Sequence, residues 1–270
     1  PVGRDGLIRP AEVEQAITGR TVLISLLWAN NEIGVIQPVS EIGRLAREHK
    51  VFFHVDGVQA AGKIPLDDEA SCIDLLSLSA HKLYGPKGAG ALYVRRHNPR
   101  VEIAAQIDGG GHERGMRSGT LNVPGIVGLG AACEIAGREM ASESARLARL
   151  RDRLLRGLSS RAGDLVVNGD LDHRLPHNLN VSFPGVDGES LLMGLDDVAV
   201  SSGSACTADR PEPSHVLLAI GRSEQLAHAS LRFGLGRSNT AAEVDYVIDK
   251  VARVVERLRE LSPAGETGRP

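Results

Sequence analysis

Cysteine is scarce: the 270-residue chain holds three, Cys72, Cys133 and Cys206. Their spacing suits neither a disulfide framework nor a metal-ligand set. Long apolar runs are absent too, and so is a secretory-type apolar segment. Neither sign of charge dominates, since 31 basic and 34 acidic residues leave a net charge of −3. These absences argue against a disulfide-stapled module, a membrane span and a general attraction to nucleic acid or anionic membrane. The expectation is a soluble cytoplasmic protein from a reducing compartment, with no direct nucleic-acid or membrane partner. What is present is ordinary globular material, 42% hydrophobic with a mean hydropathy of −0.10. That is enough chain for one large domain or two modest ones.

From Pro10 to about Val94, helix-like and strand-like segments alternate, the pattern of a parallel α/β sheet. Pro10 suits a helix start, and Ser40 suits the cap of a helix over 41–49 before a strand over 51–55. A Gly- and Arg-rich loop spans 109–120. A long helix-prone region follows from about Gly125 to Ser160, with Leu147, Leu150, Leu154 and Leu158 on one face. The last helix carries a capping box at Thr240 and Glu243. The expected division is 1–140 for a large domain, 141–262 for a smaller C-terminal α/β domain, and 263–270 for a disordered tail.

Asp56 and Lys82 are the most informative pair, because each closes an apolar, β-prone run: 51–55 before the aspartate, 75–79 just before the lysine. A carboxylate and an amine at two strand ends can clamp a cofactor ring. One would hold a pyridinium nitrogen and the other would bond an aldehyde, the way pyridoxal phosphate is mounted. A lone Asp or Lys is more often a strand-end cap or a solvated side chain, so the flanking residues decide. Gln59 can donate to a ring hydroxylate, and Ser79 and His81 can bond a phosphate. Gly85, Pro86, Gly88 and Gly90 supply a turn where backbone can pass close to a ligand. Upstream, Trp28-Ala-Asn-Asn-Glu-Ile-Gly34 follows the run 22–27 and sets Asn30 or Asn31 at a third strand end. Ligands of open α/β sheets bind beyond the carboxyl ends of strands.

Cys206 lies in Ser201-Ser-Gly-Ser-Ala-Cys-Thr-Ala208, a run of small residues with no helical or strand period. An accessible thiol on a loop is expected there. Cys72 and Cys133 read as inert packing residues. His54 and His112 carry no role beyond that of structural histidines.

With these segments in hand the chain resembles the NifS/IscS-type cysteine desulfurases. The likeness rests on NNEIGVIQP (30–38), HVDGVQAAGKIPLD (54–67), SAHKLYGPKGAGALYVRR (79–96), GGGHERGMRSGT (109–120), VSSGSACTA (200–208) and LRFGLGR (231–237). It implies an α/β protein of pyridoxal-phosphate fold type I, with an incomplete, mostly parallel large-domain sheet and a smaller C-terminal α/β domain. It makes Lys82 the lysine bonded to the cofactor and Asp56 the partner of its ring nitrogen. Gln59 would meet the ring oxygen, Ser79 and His81 the phosphate, and Asn31 the cofactor and substrate. Thr120 would reach the phosphate of the other subunit of a homodimer, and Arg232 would hold the substrate carboxylate. Cys206 would accept sulfur from L-cysteine as a persulfide, releasing L-alanine. It would then pass that sulfur to an iron–sulfur scaffold protein or to tRNA-thiolating acceptors, with Cys206 also serving as a transient iron–sulfur ligand shared with the scaffold.

The opening residues Val2-Gly-Arg-Asp-Gly6 resemble the family only about a hundred residues in, so its Gly/Ala/Thr phosphate-binding turn, the helix after it and its ring-stacking histidine are expected to be missing from these 270 residues. Much phosphate affinity comes from such a helix N-terminus. These 270 residues alone are therefore expected to bind the cofactor weakly or not at all. Three alternatives stay open: a fold-type I aminotransferase or β-lyase, which has no use for Cys206; a selenocysteine lyase; and an inactive fragment that only dimerises or docks a partner.

Overall fold

The computed structural model describes residues 1–202 and 212–261. They form two compact units. One holds Pro10–Ala29 and Gln37–Ala141; the other holds Pro1–Arg9, Asn30–Ile36 and the chain from Ser142 on.

The first unit is built on a sheet of β1 (Leu23–Leu27), β2 (Phe52–Asp56), β3 (Leu75–Ser79) and β4 (Gly90–Val94), in that order. The first three strands run parallel and β4 is antiparallel to β3. Phe53 and Val55 are buried on one face of β2, while Phe52, His54 and Asp56 alternate onto the other. Helix α1 (Pro10–Ala16) precedes β1, and α2 (Val39–Glu48) connects β1 to β2. Val39, Ile42, Gly43 and Ala46 form the buried stripe of α2. Gly43 is required there, since a Cβ would come within 1.9 Å of the Ser71 carbonyl oxygen and 3.1 Å of the Phe53 ring. Proline starts α1 as expected. The expected Ser40 cap is corrected: α2 begins at Val39, and Ser40 lies inside its first turn. Its hydroxyl is hydrogen-bonded to Ser71 at 2.9 Å, and no side chain caps the helix.

Below β2 and β3, Asp74 holds the unit together. It is 1% exposed, accepts the Phe53 N–H at 3.0 Å, and faces the guanidinium groups of Arg95 (3.3 Å) and Arg47 (3.1 Å). A buried carboxylate is tolerated only when bonded and paired in this way.

Helix α3 (Val123–Arg161) gives its first part, to Ala141, to this unit and the rest to the second. Leu129, Ala132 and Ala136 pack with Ala61, Ala80 and Leu83. Cys133 lies off that stripe and is exposed, which corrects the expectation of a packed residue. Cys72 is half-buried and lies in a turn with φ +52° ahead of β3, rather than opening the strand.

The second unit has an antiparallel sheet in the order β5 (Val166–Val167), β6 (Asn178–Ser182), β8 (Ser230–Gly234) and β7 (Ser201–Ser202). Its helices are the later part of α3, the short α4 (Gly188–Met193), α5 (His215–Ala219) and α6 (Glu224–His228), and α7 (Ala241–Leu261). The α3 leucines expected on one face, Leu147, Leu150, Leu154 and Leu158, are all buried. They meet Leu179, Val181 and Leu231 of the sheet and Val251 and Val255 of α7. The capping box closes α7: Glu243 N–H donates to Thr240 Oγ1 (3.2 Å) and Thr240 N–H to Glu243 Oε2 (2.8 Å). No helix among the described residues is long and apolar enough to cross a membrane.

Residues 1–9 and 30–36 belong with the second unit, a departure from the expected continuous 1–140 domain. Long-range hydrogen bonds explain the second of these segments. Ile36 N–H donates to His173, and Leu175 N–H to Gly34 (2.8 and 2.9 Å). Val35 bridges to Arg174. The expected tail 263–270 lies outside the described residues.

Candidate active site

Parallel pairing brings the carboxyl ends of β1, β2 and β3 to one edge of the first sheet. Leu27 is registered with Asp56, and Asp56 with Ser77. Strand β3 then runs two residues further to Ser79 and turns into a short 3₁₀ segment, Ala80–Leu83, that carries His81 and Lys82. Tyr84 ends it in the left-handed region at φ 62°. The glycine-rich turn returns the chain to Gly90, registered opposite Ser79. A Cβ on Gly90 would stand 2.6 Å from the Leu78 carbonyl oxygen, so this return needs glycine.

Five expected residues therefore meet at one edge. Asp56 is half-buried; its Oδ1 accepts the Val58 N–H at 2.9 Å, and Oδ2 has no partner among the described residues. Gln59, half-buried in the turn after Asp56, makes no side-chain hydrogen bond within the described residues. Ser79 Oγ and His81 Nδ1 are hydrogen-bonded to one another at 2.7 Å. Lys82 is exposed and its ammonium is unpaired among the described residues.

Behind them, His54 takes the structural part expected of it. Its Nδ1 bonds Ser25 of β1 (2.8 Å) and its Nε2 bonds Ser77 of β3 (2.9 Å), tying three strands together one pleat below Asp56. In loop 109–120, His112 Nδ1 accepts the Gly119 N–H at 3.3 Å, and Gly111 N–H donates to the buried Ser118 at 3.2 Å. Thr120 is exposed at the end of this loop.

Asn31 and Arg232 meet within the second unit, where Arg232 Nη1 donates to the Asn31 carbonyl at 3.0 Å. Asn30 Oδ1 is taken up by the N–H groups of Glu32 and Ile33 (2.9 and 3.0 Å), an internal turn. Cys206, the expected nucleophile, lies outside the described residues. No cluster of His, Cys, Asp or Glu suited to a metal ion occurs among the described residues.

Sequence reasoning passed over Glu32 and its neighbours. Glu32 is 8% exposed, and burial pushes its carboxyl above the usual carboxylate range. The available signal was a pair of asparagines, Asn178 and Asn180, alternating with apolar Leu179 and Val181 in one strand. Both donate to the Glu32 carbonyl, at 3.3 and 3.2 Å.

The aminotransferase class-V model matches residues 1–247. The chain belongs to the class-V aminotransferase family. Against the cysteine desulfurase IscS of Anaeromyxobacter dehalogenans it is 59% identical over 97% of its own length, and it spans 65% of that relative. A solved NifS-like protein superposes with a TM-score of 0.86 at 38% identity, covering 96% of this chain and 67% of the other. A structure of SspA in complex with cysteine matches with a TM-score of 0.72 at 38% identity, covering 87% and 64%. The class-V fold is the expected pyridoxal-phosphate fold type I, with a mostly parallel first sheet, and the family depends on pyridoxal phosphate. The residues at the sheet edge fit that group chemically. Among the described residues, a carboxylate oxygen, an amide and an amine have no partner, beside a hydrogen-bonded serine–histidine pair whose Nε2 has none either.

Proposed function

We propose that this chain carries the ring-holding residues and the sulfur-accepting cysteine of a pyridoxal-phosphate-dependent cysteine desulfurase. The observation that supports it most is the convergence of Asp56, Gln59 and Lys82 on one sheet edge, each with a polar group unpartnered among the described residues, in a chain 59% identical to a protein of that activity. Asp56 Oδ2 would accept the proton of the ring nitrogen, Gln59 would donate to the ring oxygen, and Ser79 and His81 would exchange their mutual bond for phosphate oxygens. Thr120 would serve the phosphate in the other subunit of a homodimer. When bound, pyridoxal phosphate supplies an electron sink conjugated to the substrate Cα.

Lys82 Nζ would hold the cofactor's aldehyde carbon at rest and, once released, move a proton at Cα. Arg232 would orient the substrate carboxylate, with Asn31 beside it. The Cys206 thiolate would attack Sγ of L-cysteine. The Cβ–Sγ bond breaks, its electron pair stays with carbon, and a proton from Lys82 completes L-alanine. The sulfur remains on Cys206 as a persulfide, for transfer in the cytoplasm to an iron–sulfur scaffold or another acceptor.

Cys206→Ser in the full-length enzyme tests this. Sulfide and alanine output from L-cysteine should fall to background while the cofactor's absorbance band persists. Unchanged output would rule out the desulfurase assignment and leave a different lyase.

A further inference from the structure

Glu32 is a buried carboxylate that the proposed reaction does not use. Its surroundings are built from several separate elements of the second unit. The carboxyl oxygen Oε2 accepts the Ser214 hydroxyl at 2.5 Å. Ser214 is 3% exposed, and its Oγ also accepts the Leu217 N–H at 3.2 Å, capping α5. That hydroxyl's one proton is thus directed at Glu32. The backbone around Glu32 is gripped from below. Asn178 and Asn180 of β6 hold its carbonyl, and Arg232 of β8, registered opposite Asn180, holds the carbonyl of Asn31. Three side chains on one face of the sheet therefore fasten two consecutive carbonyls.

Arg232 from β8 and the exposed His215 from the first turn of α5 are near enough to act electrostatically on the Glu32 carboxyl, and Asn180, registered opposite Arg232, bonds the Glu32 carbonyl. Arg232 is half-buried and makes no direct ion pair among the described residues. A half-buried guanidinium without an ion pair is favoured by a nearby counter-charge, and the buried Glu32, next in sequence to the Asn31 whose carbonyl Arg232 holds, is an acid within its electrostatic reach. We infer that Glu32 is a positioning residue that supplies the resident counter-charge of Arg232, moderating how tightly that arginine takes the carboxylate of an incoming substrate. This rests on the assignment of Arg232 to the substrate carboxylate. Burial raises the Glu32 pKa, and protonation would switch the counter-charge off.

The sign of the effect separates this role from a merely structural one. Glu32→Gln keeps an acceptor for Ser214 and removes the charge. In the intact enzyme the KM for L-cysteine should fall about 3- to 10-fold at neutral pH, with kcat within about twofold. The carboxylate form exists above the raised pKa. As pH falls through that pKa, the wild-type KM should converge on that of the variant. Calorimetric titration with 3-mercaptopropionate, which has the carboxylate but no amine, should show the same tightening without turnover. Ser214→Ala keeps the charge and loses the anchor, so it should not lower KM. A KM in Glu32→Gln that is unchanged or raised would overturn the inference, as would a fall in KM in Ser214→Ala. Wild-type enzyme that releases no alanine from L-cysteine would instead sink the desulfurase assignment, and the thiol-acid titration would still report on Glu32 and Arg232.

Discussion

The two units treat their polar residues in opposite ways. At the edge of the first sheet, Lys82, Gln59 and one oxygen of Asp56 have no partner among the described residues. In the second unit, polar groups are bonded to one another in series. Asn168, fully buried, donates to Asn180 and Ser182 (both 2.8 Å) and accepts from Arg222 (2.7 Å), while Ser214 joins Glu32 to α5. A group that must receive a ligand needs its hydrogen-bonding capacity left open, and a group that positions others needs it filled. The apolar packing differs in parallel. Ala61, Ala80, Ala132 and Ala136 with two leucines lie under the Lys82 turn, whereas leucine, valine and phenylalanine fill the second unit. Small side chains let the backbone carrying Lys82 come close to α3, and larger ones give the second unit its rigidity.

Substitutions can break this contrast, and the largest effect belongs to the open edge. Lys82→Ala should lower alanine release from L-cysteine by about 1000-fold or more. The unfolding midpoint of the cofactor-free protein should hardly move, because the amine makes no bond among the described residues. A lysine variant that unfolds early would mean that the edge is structural after all. Next comes Asp74→Ala, which strips a buried carboxylate from Arg95, Arg47 and the Phe53 amide. Urea denaturation should show a loss of about 3–5 kcal/mol. Leu158→Ala opens a cavity among the α3, sheet and α7 side chains, for a loss of about 3 kcal/mol in the same measurement. The smallest is Thr240→Ala at the start of α7, about 1 kcal/mol. Glu243, its partner in the box, is held below the usual carboxylate range because it accepts the Thr240 N–H. Its contribution is present above the ordinary glutamate range and is lost as pH falls through the lowered value. A stability difference between wild type and Glu243→Ala that narrows in acid would agree with this.

Much of the first unit was legible because its signals are local. Alternation in 51–56 and the apolar run 75–79 mark strands, and the residue that ends each run stands at the sheet edge wherever parallel pairing holds. The α3 leucines and the α7 capping box were readable for the same reason: a period of 3.6 and a spacing of three residues are written in neighbouring positions. Ser40 misled because a serine immediately before a helical stretch is a good cap only if the helix starts where the pattern suggests. Here α2 starts earlier, and Ser71, far along the chain, takes the hydroxyl. Cys133 misled because half of a helix's residues face away from its packed stripe, and a helix that is Gly- and Ala-rich hides which half.

The sequence by itself determined the strand-end residues Asp56 and Lys82, the helix faces and the family pattern, since each depends on spacing along a single element. Tertiary structure alone decided that 30–36 leaves its neighbours for the second unit, that Asn30 is consumed in a turn while Asn31 meets Arg232, and that Glu32 finds Ser214 at a separation of 182 residues. Hydrogen bonds between distant polar side chains leave no period in the sequence, and burial is what makes them worth forming.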